Sequence, residues 1–244
     1  MHLQMLYPVV RVDAEGGKGS GTVIFSGPRA GAVETYVLTN WHVVAGSITV
    51  EKKWDSKEQK EIEKETRRTV EVFAFDYNDL SRNVGSVGKR AEIVLYDEKA
   101  DVALLRLADK EAVLANIAVL LPEDTGLRIF ERVWAVGAGL GHPPFATEGM
   151  IGHLDDEIDG YTYTFATAPI IFGNSGGALF HRSAERGRYE LIGIPSRIRA
   201  GGFFLVVSHM RFSVSMTTIR KVLRDHCYGF LVGDATERTD CGKS

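Results

Sequence analysis

From residue 7 to residue 208 the chain is a succession of short runs rich in valine, isoleucine, threonine and aromatic residues, set apart by glycine and polar residues. A pleated, half-buried surface selects those side chains, so each run reads as a strand. The first half holds YPVVRV (7–12), GTVIFS (21–26), TYVLTN (35–40), SITVE (47–51), VEVFAF (70–75), EIVLY (92–96) and VALLRL (102–107). The second half holds RVWAVGA (132–138), TEGMIGHL (147–154), YTYTFATA (161–168), GALFH (177–181), YELIGI (189–194) and GFFLVVS (202–208). Two sets of about six strands each are the right size for two small closed barrels. The fold class expected is all-β, with two six-stranded antiparallel barrels.

Helix is scarce. In SMTTIRKVLRDHCYGFL, Met216, Ile219, Val222 and Leu223 recur at helical spacing and Ser215 stands where a cap belongs, which predicts a C-terminal helix over about 215–230. The segment KKWDSKEQKEIEKETRR (52–68) is dense in charge and carries only Trp54 and Ile62 as large apolar residues. It is expected to be a solvated insertion, helical or disordered. DYNDLSRNVGSVGK (76–89) is expected to be a surface loop and residues 233–244 a polar tail. A chain of 244 residues can hold a real core as one unit. The expectation is therefore a single domain over 1–232, with the first barrel over about 7–120 and the second over about 121–212.

The formal charge of −3 favours neither a nucleic acid nor an anionic membrane as partner. The N-terminus lacks the basic start, apolar core and cleavage site of a secretory signal, and no apolar run approaches the roughly 20 residues that span a bilayer. A cytoplasmic location is expected. Cys227 and Cys241 are the two cysteines, too few for a disulfide framework, and are expected to be free thiols. Asp76, Asn78 and Asp79 could chelate calcium, but their spacing lacks the distal glutamate of a dedicated loop and a polar turn is expected. His142 and His153 show no zinc pattern. No metal and no cofactor are assigned.

The chemistry concentrates in GNSGGAL (173–179), where nothing structural demands so many small residues beside a serine. Its G-x-S-x-G frame suits two unrelated hydrolase folds. An α/β-hydrolase needs an acid and then a histidine after the serine. A double-barrel serine hydrolase of the chymotrypsin type needs the histidine and the acid before it. VLTNWHVV places His42 at the end of a strand-like run, and EKADVALLRL places Asp101 immediately ahead of another. The order His42, Asp101, Ser175, with no alternation of strands and long helices, selects the double barrel.

GSGTVI, YVLTNWHVV, DVALLRL, AVGAGLGHPPFATEGMIG and GNSGGALF…ELIGI together resemble the successive blocks of trypsin-like serine peptidases of the HtrA/Deg type, over roughly residues 8–226. The resemblance implies a serine endopeptidase acting on protein or peptide substrates, with its active site between the barrels. It gives His42 the role of base, Asp101 that of orienting acid and Ser175 that of nucleophile, and it implies an oxyanion hole from the backbone N–H groups of Gly173 and Ser175. It places specificity-pocket walls at Pro169, Ile170 and Ile171 and along Ile194, Pro195 and Ser196. These residues are small or apolar, which points to small or medium aliphatic side chains before the scissile bond.

The sequence also departs from that pattern. Digestive trypsin-like enzymes carry an aspartate just before the nucleophile, where it pairs with the N-terminal ammonium released by activation; here the position is Asn174. A chain that needs no proteolytic maturation is expected. A chain without a peptide-binding PDZ domain is expected, with substrate choice left to the cleft, the loops or a regulatory partner, including a homo-oligomer. Trp41 is expected to pack, pointing away from His42 as neighbours on a strand do. The alternative reading is a catalytically silent or partner-activated scaffold that works as a binding module.

Overall fold

The computed structural model describes residues 1–29, 31–55, 59–80, 82–109, 114, 116–196 and 211–234. In the first half, β1 (Val9–Ala14), β2 (Gly17–Arg29), β3 (Ala32–Thr39), β6 (Val70–Asn78), β7 (Arg82–Asp97) and β8 (Val102–Leu107) close into an antiparallel barrel in the order β1-β2-β3-β8-β7-β6. In the second, β9 (Arg132–Gly137), β10 (Phe145–Ile158), β11 (Tyr161–Ala166), β12 (Ala178–Ser183), β13 (Arg188–Pro195) and β14 (Arg211–Ser215) close in the order β10-β11-β14-β13-β12-β9. Between β3 and β6 stand a short helix, α1 (Trp41–Val44), and a separate two-stranded sheet of β4 (Ile48–Asp55) and β5 (Lys60–Arg67). A C-terminal helix, α2 (Met216–Asp225), follows β14. Among the described residues no helix is long and apolar enough to cross a membrane.

Of the first barrel's strands, β2, β3 and β8 carry runs buried on both faces, which is why VI, YVL and VALL run apolar without a break, whereas β6 and β7 alternate buried with exposed residues. Val10, Val12, Val23, Val37, Ala103 and Leu105 fill that barrel, capped by Val43 and Val44 of α1. Their neighbours Val9, Ile24, Tyr36, Leu38, Val102 and Leu104 point the other way and join one core with Val133, Ala135, Leu179, Leu191 and Ile194 of the second barrel. The strand period of two thus sends alternate residues to two different cores. The linker joins in: the Ala118 N–H donates to the Val23 carbonyl at 2.8 Å and that of Leu121 to Leu191 at 3.0 Å.

Helix α2 follows its sequence. The Ser215 side chain accepts from the Thr218 N–H at 3.3 Å, and Met216, Ile219, Val222 and Leu223 are buried. Beyond it, Phe230 packs edge-on against Phe25 and Tyr36 of the first barrel, with the Arg29 guanidinium 3.8 Å from its ring centroid. Cys227 is disulfide-bonded, which overturns the free-thiol expectation. Sequence spacing is silent on whether two sulfurs come within bonding range. Cys241 lies outside the described residues.

Three expected elements differ. Most of segment 52–68 lies in β4 and β5, neither helical nor disordered, and SITVE begins β4 rather than a barrel strand. Opposite charges face each other there, Glu51 across from Lys64 and Lys52 across from Glu63, so cross-strand pairing overrides the helix propensity of lysine and glutamate. The hairpin's base is fixed by Arg67 Nη1 on the Ile93 carbonyl at 3.0 Å and by the Tyr96 hydroxyl on Glu65 at 2.7 Å. Segment 76–89 is the far end of the β6–β7 hairpin rather than a loop, with Tyr77 stacked on Tyr7 at 4.8 Å. Asp76 and Asn78 close β6, and Asp79 turns in the left-handed region at φ 48° with its N–H on the Asn78 side chain. Finally, the sixth strand of the second barrel is β14; the expected run 202–208 lies outside the described residues.

Glu190 of β13 has no solvent exposure and receives Arg186 at 2.7 and 3.0 Å and Arg188 at 2.9 Å. Burial pushes its carboxyl up, and the hydrogen bonds from the two arginines overcome that and hold it below the ordinary glutamate range. A depressed native pKa contributes stability above the unfolded value and loses it as pH falls through the native one. Glu190→Gln is therefore expected to cost about 2 kcal/mol at pH 7. In urea unfolding against pH, variant and parent should converge once the native carboxyl is protonated.

Candidate active site

The end of β3 delivers the histidine. Asn40 is buried and extended, at φ −86° and ψ 151°, and its Nδ2 donates to the Asp101 carbonyl at 2.8 Å. The chain then turns into α1, where buried Val43 and Val44 anchor a single helical turn and leave His42 beside the barrel seam. Trp41 opens that helix and is half-buried, so the strand argument for its direction does not hold. Gly19 of β2 makes room here: a Cβ on it would stand 2.6 Å from the Val43 side chain and 3.1 Å from the Ser175 carbonyl.

Asp101 ends the β7–β8 turn in the left-handed region, at φ 54°. An aspartate tolerates that backbone better than most residues. Its carboxylate receives the His42 N–H at 3.0 Å, Nδ1 of His42 at 2.9 and 2.8 Å, and the Ser196 hydroxyl at 2.5 Å. An acceptor on Nδ1 selects the tautomer that carries its proton there and frees the Nε2 lone pair. Both side chains are largely shielded from water, at 12% and 14% exposure.

Ser175 lies on the loop between β11 and β12, and three glycines shape that loop. Gly173 and Gly176 adopt φ of 96° and 79°. A Cβ on Gly173 would lie 2.8 Å from the Leu140 nitrogen, and one on Gly177 2.3 Å from the Val136 carbonyl. On Gly176 it would lie 2.3 Å from both the Ser20 carbonyl and Thr39 Oγ1, and 3.0 Å from the Asn40 nitrogen. The segment carrying Ser175 is thus pressed against the strand end that carries His42. The Ser20 N–H donates to the Ser175 carbonyl at 2.8 Å and the Gly176 N–H to the Pro195 carbonyl at 3.1 Å. N–H groups of Asn174 and Gly177 are likewise spent, on Ile171 and Asn174. Those of Gly173 and Ser175 donate to no described residue.

The residues expected to wall a pocket are divided. Ile170 and Ile194 are buried in the core, while Pro169 and Ile171 are exposed. Pro195 presents its carbonyl to Gly176, and Ser196 turns its hydroxyl onto Asp101. Sequence reading missed Ser20 and Asn40, although GSG and LTN were in view, because a hydrogen bond between residues far apart in the chain has no local pattern. It also missed Phe172 and Leu140, exposed by 80% and 66% and joined by a 2.7 Å bond from the Leu140 N–H to the Phe172 carbonyl. Three apolar residues in a row before GNSGG were the available signal.

Residues 19–194 match the family model of the trypsin-like peptidase domain. The chain belongs to that family. The magnetosome formation protease MamE of Paramagnetospirillum magneticum is 29% identical over 149 residues, which are 59% of this chain and 16% of MamE. Among solved structures, Deg5 is 22% identical with a TM-score of 0.61, over 94% of this chain and 91% of Deg5. The serine endoprotease from Yersinia pestis is 20% identical with a TM-score of 0.59, over 95% and 65%. At these identities the likeness establishes the double-barrel fold, in accord with the HtrA/Deg resemblance of the sequence.

Within a trypsin-like peptidase the glycine contacts carry a direct test. Gly176→Ala combines a strained backbone with a clash against main-chain atoms and is expected to lower stability by about 2 kcal/mol or more. Gly85→Ala, where a Cβ meets nothing within 4 Å, should stay within about 0.5 kcal/mol of the parent. Chemical denaturation of both variants checks the contrast.

Proposed function

We propose that the chain is a serine endopeptidase that hydrolyses peptide bonds through an acyl-enzyme. Ser175 Oγ attacks the scissile carbonyl carbon while its proton passes to Nε2 of His42. The carbonyl oxygen takes the negative charge and meets the N–H groups of Gly173 and Ser175. Collapse of the intermediate breaks the C–N bond, His42 returns the proton to the leaving amine, and the acyl group stays on Ser175. A water deprotonated by His42 then hydrolyses the ester. Asp101 remains ionised throughout, holding the imidazole in the useful tautomer and stabilising its cation.

The observation that carries this reading is the Asp101 carboxylate on Nδ1 of His42, at 2.8 Å, beside a serine loop with two unspent N–H groups. Polypeptides are the substrates of this chemistry. Pro169 to Phe172 and Ile194 to Ser196 include no carboxylate to pair with a lysine or arginine, which supports small or medium aliphatic P1 residues. The disulfide at Cys227 fits an oxidising compartment better than the cytoplasm expected from the N-terminus.

A partner-controlled form of the same site draws support from Phe172 and Leu140, large apolar side chains left in solvent next to the serine loop. A regulatory protein or a second copy covering them would act on the loop directly.

A fluorophosphonate probe should label the native protein at Ser175 and fail on Ser175→Ala and His42→Ala. Asp101→Asn should lower kcat by about four orders of magnitude, because an amide cannot select the tautomer. Peptide libraries should be cut after alanine or valine. Cleavage confined to arginine or lysine sites would refute the P1 assignment, and unlabelled but folded native protein would favour the partner-controlled form.

A further inference from the structure

We propose that the Ser20 hydroxyl is a latch that holds the serine loop in the form that leaves the Gly173 and Ser175 N–H groups unspent; this rests on the peptidase reading. Ser20 lies on β2 in the first barrel and has no solvent exposure. Its Oγ is 2.7 Å from the Ala138 nitrogen and 2.6 Å from the Gly173 oxygen. An amide can only donate, so Oγ accepts from Ala138, and its single proton goes to Gly173. The Ser20 main chain continues the clamp, donating to the Ser175 carbonyl at 2.8 Å and accepting the Thr39 hydroxyl at 2.7 Å.

Those bonds grip the loop on both sides of the nucleophile. A bond to the Gly173 carbonyl fixes the rotation of the peptide that follows Gly173, and a bond to the Ser175 carbonyl fixes the one that follows Ser175. The peptides that carry the Gly173 and Ser175 N–H groups are held through their own carbonyls, Phe172 by the Leu140 N–H at 2.7 Å and Asn174 by the Gly177 N–H at 3.0 Å. Ser20 holds the two peptides that alternate with them, where the freedom of Gly173 would otherwise let the loop turn. Asn174, standing where digestive relatives use an ion-paired aspartate, does not supply that restraint. Its side chain is fully buried, and neither Oδ1 nor Nδ2 has a partner among the described residues. The restraint on the Gly173 carbonyl comes instead from a serine on the other barrel. Ser20 faces the loop's main chain and not the substrate, so its role is positioning.

Ser20→Ala removes the donor to Gly173 and the acceptor for Ala138 while leaving the main-chain bonds in place. The expected result is a 10- to 100-fold fall in kcat with KM within about twofold, below the full loss of one oxyanion donor. Affinity for a peptidyl boronate, whose adduct oxygen occupies the oxyanion position, should fall in parallel, while affinity for a non-covalent product peptide holds. Ser20→Cys, with a weaker donor of similar size, should fall between. Hydrogen exchange should quicken in a peptide covering 170–177 and stay unchanged in α2. Unchanged kcat and boronate affinity would overturn the latch, as would kcat, KM and global stability failing together. If the parent itself does not take a fluorophosphonate, the partner-controlled form of the site is favoured and kinetics cannot read the latch. The exchange measurement then decides the latch alone, and an unaltered 170–177 would sink it.

Discussion

Everything in this protein depends on three strands of the first barrel, β2, β3 and β8, having two buried faces. One face closes a core of its own, around Val12, Val37 and Leu105. The other, through Tyr36, Leu38 and Leu104, is continuous with the interior of the second barrel. Burial of this kind is the dominant favourable term in folding, and here the same strands supply it twice. Its functional consequence lies at the seam. With the barrels joined through a common core, residues far apart in the chain come together at the ends of β3, β8 and β13, on elements too well packed to drift.

Close approach then becomes the second constraint. The serine loop meets the first barrel closely at Gly19 and Gly176 and β9 of the second at Gly177, and glycine is required at each because a Cβ would occupy that space. Such contacts leave polar groups that must find partners inside the seam. Across the barrels Ser20 bonds Gly173, Ala138 and Ser175, and Ser196 bonds the Asp101 carboxylate, while within the first barrel Asn40 bonds the Asp101 carbonyl. The hydrogen bonds that satisfy the interface are also those that orient the candidate catalytic groups. Stability and positioning are therefore coupled at this site, and a substitution there acts on both.

Legibility in the sequence followed the range of the forces involved. The β-rich runs, the Ser215 cap and the stripe on α2 rest on local spacing and were readable one segment at a time. The β4–β5 hairpin was not readable, since its charged residues are ordered by partners across the strand and by Tyr96 and Ile93 at its base. Nor was the β6–β7 extension, whose polar end is stiffened by the stacking of Tyr77 on Tyr7, 70 positions away in the chain. Ile194 illustrates the same limit in the site: the resemblance alone named it as a pocket wall, and the burial of its side chain is set by how the strands pack.

By itself the sequence determined the double-barrel class, the terminal helix and the order of His42, Asp101 and Ser175, because strand period, helix period and chain order are properties of one dimension. Only the tertiary structure decided that the Asp101 carboxylate meets Nδ1 of His42, that Ser196 serves that carboxylate, and that Ser20 reaches across to the serine loop. The reason is physical. Hydrogen bonds are directional and act over about 3 Å, so their partners are chosen by how two barrels dock, and docking is fixed by side-chain shape summed over the whole shared core.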